Sequence, residues 1–278
     1  MSGGAPPRSG APLPGGAVHL ELELRTATGP LRGRVAVPLA PMRLADLVPQ
    51  ALELADQLSA RAAIRDSRDG HAVSCRAGCG ACCKQMVPLS VPEVFHLAEQ
   101  VEVLPPRRRA FIEERFRQAR ERVERSDIAE ALLAEPYDEL AAMGAALPYF
   151  RLGVDCPFLE DQSCSAYADR PTICRQYVVT TPAAWCVDPD RHPVRQIPIP
   201  TPVSRPLARV AAELTGASPR LVPLTLALRW AEEHRELGAR TWPGPVLFEA
   251  FLRYLGAPPA ASPSSQGAPG VAKAGEAE

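Results

Sequence analysis

Between Val18 and Thr26 apolar and polar residues alternate, with Val18, Leu20, Leu22 and Leu24 set against His19, Glu21, Glu23 and Arg25. A turn signal follows at Gly29-Pro30, and a second run extends from Arg34 to Leu39. Alternation with period two puts one apolar face inward, so this stretch predicts a β-hairpin with His19 on its solvent face. The period then changes. Leu44, Leu47, Ala51, Leu54, Ala55 and Leu58 fall on one side of a helix that runs to about Ile64. Ser90-Val91-Pro92-Glu93 reads as a capping box opening a helix to about Gln100, with proline in the first turn where its missing N–H costs nothing. Residues 107–125 alternate Arg and Glu around Phe111, Ile112, Phe116, Ala119 and Val123. That pattern predicts one apolar stripe on an otherwise ion-paired helix, which reads as scaffold. Asp127 to Leu147 continues the helical pattern with a break at Pro136, and three short helices are expected near 206–215, 223–237 and 245–255.

The resulting fold class is mainly α with a small N-terminal β-hairpin, and irregular cysteine-rich loops packed on helices. Residues 1–16 and 257–278 are rich in Pro, Gly, Ala and Ser and poor in large apolar side chains, so both are expected to be disordered tails. Between them the chain divides into a hairpin and helix over 17–71, a cysteine segment over 72–190 and a helical extension over 191–256.

Composition narrows the function classes. The chain has 278 residues, 46% of them hydrophobic, enough to bury an ordinary core. No segment approaches the roughly 20 apolar residues of a membrane span, and the first residues lack the regions of a secretory signal. A formal net charge of -1, without a basic patch interleaved with aromatics, gives no electrostatic footprint for nucleic acid. Only Lys84 and Lys273 are lysines among 31 basic residues, which reads as the imprint of a GC-rich bacterial coding sequence. Neither a membrane nor a nucleic acid is expected as a partner, and the expected compartment is the cytoplasm.

The chemistry lies in the cysteines. Cys75, Cys79, Cys82 and Cys83 form one group; Cys156, Cys164 and Cys174 form a second, with Cys186 trailing. Thiols this dense cannot all be core filler, since buried structural cysteines arrive singly as small hydrophobes. They bind a metal ion, an iron-sulfur cluster, or each other. Cytosolic thiols are kept reduced, and a disulfide between the neighbours Cys82 and Cys83 would be strained, so metal is preferred over disulfides.

Two thiolates separated by two residues can turn back on one centre through a tight loop, and Cys79-Gly80-Ala81-Cys82 has that spacing. Gly78 and Gly80 relax the backbone so that amide N–H groups can point at sulfur. Cys156 is followed by a proline whose rigid ring helps to fix the ligand. Arg170 and Arg175 bracket Cys174, placing cations where thiolate charge accumulates, a supporting role beside the ligands that competes with a plain surface role in an Arg-rich chain.

At these residues the chain resembles the YkgJ-like cysteine-cluster family, for which a zinc- or iron-chelating domain is described. The resemblance rests on Cys75, Cys79, Cys82 and Cys83, then Cys156-Pro157-Phe158-Leu159 with Cys164, then Tyr167, Arg170-Pro171 and Cys174-Arg175. It implies metal or iron-sulfur binding by those seven cysteines over about residues 72–190. A flagellin lysine methylating enzyme carries a similar module, yet no nucleotide-binding glycine loop supports methyl transfer here. Cys75, Cys79 and Cys82 also have the spacing of the radical S-adenosylmethionine enzymes. Against that reading, Ala81 stands where those enzymes usually carry an aromatic, and the following segment is helical.

His71, four residues before Cys75, could complete a mixed site, whereas His96, His192 and His234 read as surface or core residues. Cys186 falls outside the family pattern and is expected to contribute little. Two hypotheses remain. In one, the cysteines hold an iron-sulfur cluster, and the protein transfers electrons to a redox partner or acts as an oxidoreductase. In the other, they hold one or two zinc or iron ions whose binding supplies folding energy to a domain that acts through a protein partner. The vicinal pair Cys82-Cys83 favours the cluster, because several metal atoms accommodate neighbouring thiolates more easily than one tetrahedral ion does.

Overall fold

The computed structural model describes residues 16–26, 29–188 and 191–256, so the expected tails lie, apart from Gly16, outside the described residues. Strands β1 (Ala17–Thr26) and β2 (Gly29–Pro38) form the expected hairpin, antiparallel from Ala17 opposite Pro38 to Thr26 opposite Gly29. Its inward face buries Leu24, Leu31 and Val37, and His19 is exposed as the alternation requires. β3 (Pro41–Arg43) leads through a 3-10 turn at Leu44–Leu47 into α1 (Val48–Arg68), which buries Ala51, Leu54, Ala55 and Leu58.

After the first cysteine segment, β4 (Pro88–Ser90) opens α2 (Val91–Glu102), followed by α3 (Pro106–Glu124). The inward stripe of α3 is Ile112, Phe116, Ala119 and Val123, but Phe111 is turned outward, 47% exposed, with the guanidinium groups of Arg108 and Arg115 over its ring. A stripe at i, i+4, i+7 and i+11 is already complete without it. The expected helix over 127–147 is three short ones, α4 (Ala129–Leu133), α5 (Glu139–Gly144) and α6 (Ala146–Arg151), with a cis Glu135-Pro136 bond between the first two.

The second cysteine segment contains the two-residue strands β5 (Leu159–Glu160) and β6 (Ser163–Cys164) and the short helix α7 (Thr172–Gln176). The remainder comprises α8 (Ser204–Thr215), β7 (Leu221–Pro223), α9 (Ala227–Glu233), α10 (Arg235–Ala239), β8 (Thr241–Pro243) and α11 (Gly244–Gly256). The expected helix over 223–237 is therefore a 3-10 turn and two helices, interrupted at His234.

Two strand pairs tie the late chain to the early chain: β3 with β8, and β4 with β7. Apolar residues from Leu24 to Leu255 consequently pack in one contiguous cluster, including Phe248 and Leu89 at its most buried points. Among the described residues no helix is long and apolar enough to cross a membrane.

Candidate metal centre

The first cysteine segment follows α1 without regular structure until a 3-10 turn at Ala81–Lys84. Gly78 sits at φ +84, a left-handed conformation that glycine adopts without steric cost. Gly80 has ordinary φ and is required for space instead: a Cβ there would lie 2.5 Å from Leu159 Cδ1 and 2.6 Å from the Gln162 carbonyl oxygen. The turn of the first segment is thus pressed directly against the β5–β6 hairpin of the second. The Cys156 N–H donates to the Cys83 carbonyl at 2.7 Å, a second tie across the same seam.

Three elements of the scaffold set the second segment. α3 grips the hairpin: Phe116 meets Phe158 edge-on at 5.5 Å, Arg108 pairs with Glu160, and Arg115 donates to the Leu159 carbonyl at 2.5 Å. α2 holds α7 through Glu93, a buried carboxylate. One oxygen accepts from the Ser90 N–H at 3.0 Å and hydroxyl at 2.7 Å, closing the expected capping box. The other accepts from the Thr172 N–H at 2.8 Å and hydroxyl at 2.7 Å, at the start of the helix that carries Cys174. A buried carboxylate whose loss strands four donors contributes on the order of 3 kcal/mol. α1 adds the third restraint, Asp56, which pairs with Arg175.

All seven cysteines expected as ligands line one cavity of about 110 Å³, and Cys186 lines it too. Cys186 is buried on the 3-10 turn Ala183–Val187, which packs against the turn carrying Cys82 and Cys83. The sequence placed Cys186 outside the family pattern and ranked it below the other seven. None of the four histidines weighed above lines this cavity: His71 is exposed, His96 lines a neighbouring pocket with Glu93, and His192 and His234 stack on Trp185 and Trp230.

The thiols are spread over the cavity wall. Among the described residues no three His, Cys, Asp or Glu side chains are gathered tightly enough for a single ion. Cys83 donates its S–H to Cys82, and that bond pulls the Cys82 thiol down to about 7 while holding the Cys83 proton firmly in place. Elsewhere burial keeps thiols protonated, pushing Cys156 up to about 12, Cys186 to about 11 and Cys174 well above the usual range. Backbone donors oppose this at Cys75, where the Val179 N–H lies 3.3 Å from Sγ, and at Cys156 and Cys164, where the N–H groups of Phe158 and Ala166 act. These donors to sulfur come from the second segment and from Val179 beyond α7. Displacing the remaining protons is work that a bound cation performs, with affinity rising as pH rises.

The two arginines differ in what they touch. Arg175 donates to the carbonyls of Ala168 and Arg170 and to Asp56, so it fixes the loop before α7 while lining the cavity. Arg170 lies over the Tyr167 ring at 3.9 Å, its buried Nε has no hydrogen-bond partner, and its charge partly offsets the rise that burial causes at Cys75 and Cys164 and adds to the lowering of Cys82. The donor set, eight thiols with a cation and backbone N–H groups around one cavity, is chemically suited to soft transition metals.

Residues 74–190 match the family model described as "CxxCxxCC: Putative zinc- or iron-chelating domain". No curated protein and no solved structure matches the chain.

Proposed function

We propose that the thiols of residues 74–190, the segment that matches the model of a zinc- or iron-chelating domain, hold an iron-sulfur cluster that carries electrons. The observation that carries this reading is the placement of thiols from both segments around one cavity without convergence on a point. A tetrahedral zinc ion with bonds of about 2.3 Å needs sulfurs about 3.8 Å apart. A cluster of several irons takes ligands spaced more widely, the neighbours Cys82 and Cys83 included.

The cluster, when bound, supplies a one-electron carrier whose potential depends on charge and hydrogen bonds at sulfur. Cys75, Cys79, Cys82, Cys83, Cys156, Cys164 and Cys174 would hold it. Arg170 offsets thiolate charge, the N–H groups of Val179, Phe158 and Ala166 stabilise the sulfurs, and Arg175 keeps the Cys174 loop in place. Phe158, Leu97 and Leu224 line the cavity and limit water. A reducing cytoplasm suits such thiols, and a redox protein is the partner this chemistry calls for.

The test is absorption and elemental analysis of protein purified without oxygen. Broad absorption near ~400 nm from thiolate-iron charge transfer, with iron and acid-labile sulfide, is the expected result. Colourless protein with stoichiometric zinc would overturn the cluster and leave a metal that serves folding.

A further inference from the structure

Burying an N–H without an acceptor is unfavourable, and a fold that does so leaves that donor free for a group from outside the chain. Among the described residues four buried side-chain nitrogen or oxygen atoms have no hydrogen-bond partner, and they belong to Gln50, Arg170, Arg220 and Trp230. Of these residues Arg170 alone lines the cysteine cavity, and its unpartnered atom is Nε. The guanidinium is held at both ends. The Tyr167 ring, another part of the cavity wall, lies 3.9 Å from it, and the backbone at its root is fixed by Pro171 and by the Arg175 Nε–H, which donates to the Arg170 carbonyl at 2.8 Å. Arg175 pairs with Asp56, whereas among the described residues no carboxylate pairs with Arg170. The Arg170 charge is felt at Cys75 and Cys82 of the first segment and at Cys164 of the second, so it faces thiols of both.

We propose that the Arg170 Nε–H donates to a sulfur of the bound cluster and that this contact, oriented by Tyr167, sets the reduction potential of the cluster. This rests on the reading of the site as an iron-sulfur centre. Reduction adds one electron to a centre that already carries thiolate and sulfide charge. A fixed cation and a donated hydrogen bond therefore stabilise the reduced form more than the oxidised one and raise the potential. The backbone N–H groups at Cys75, Cys156 and Cys164 act in the same direction without a net charge, and Arg170 adds the charge.

The experiment is a redox titration of anaerobically purified full-length variants, with dithionite as the electron donor, visible absorption as the readout, and iron and sulfide measured on the same samples. Arg170→Gln is expected to keep its iron and to shift the balance at a fixed potential about tenfold toward the oxidised form, a fall of about 59 mV for one electron. Arg170→Lys, which keeps the charge and lacks the Nε–H, should fall part of the way, and so should Tyr167→Leu. Arg76→Gln removes an exposed cation from the same cavity wall and should move the balance less than about twofold, because water and salt screen it. A wild-type potential in iron-loaded Arg170→Gln, or an equal fall in Arg76→Gln, overturns the role of Arg170 and leaves the cluster reading intact. Wild-type protein free of iron overturns both. Should Arg170→Gln lose its iron, Arg170→Lys and Tyr167→Leu decide the matter: wild-type potentials in these two would overturn the proposal.

Discussion

Cys174→Ala is expected to cost at least half of the bound metal and to lower the thermal midpoint and solubility together. The substitution removes one sulfur from a buried site and by itself should cost only about 1 kcal/mol. Any larger destabilisation must then pass through the metal, because binding free energy at a thiolate site is folding free energy. Cys174 is where that coupling should be strongest: α7 is joined to α2 through Glu93, to α1 through Arg175 and Asp56, and to α8 through Gln176, whose side chain accepts from the Val203 N–H at 2.8 Å. The check is a melt of the variant beside wild type, each with and without metal. A wide gap is expected between the loaded proteins and a narrow one between the metal-free proteins; unchanged metal content would remove Cys174 from the site.

Gly80→Ala is the second large effect expected, and it acts without touching a ligand. The added Cβ would meet Leu159 Cδ1, which can move, and the Gln162 carbonyl, which is backbone and cannot do so cheaply. Overpacking of this kind costs about 1–3 kcal/mol. Here it would also push the Cys79–Cys82 turn away from the Cys156–Cys164 hairpin, so metal loss should exceed what the stability cost alone predicts. Gly78→Asn is the control, because its site is open space and asparagine tolerates the left-handed backbone there. Equal metal retention in the two variants, measured by elemental analysis, would show that close approach of the segments is not required.

What the sequence disclosed follows from where its signals are local. The β1–β2 hairpin was legible because ten-residue strands repeat their alternation enough times to be read, and the α2 start because Ser90 and Glu93 are three residues apart. The same Glu93 carboxylate also holds Thr172, a contact across the chain that no spacing announces. The three-residue strands β3, β4, β7 and β8 are too short to show a period, and their pairing is set by the tertiary core. Phe111 matches an apolar stripe by residue type, yet α3 has no room for it on the buried side and the arginines flanking it offer an alternative. At the site, the seven clustered cysteines announce themselves by density. Cys186 does not, because it reaches the cavity by the packing of one 3-10 turn on another. Gly80 was legible as a flexible residue, but its reason is the hairpin that lies against it.

X-ray absorption at the iron edge of the purified, oxygen-protected protein reads the ligand shell of the metal itself. A first shell of sulfur alone and a second shell of iron are expected, as thiolates around a multi-iron cluster require. A first shell of nitrogen or oxygen, or isolated metal with no second metal shell, would contradict that cluster.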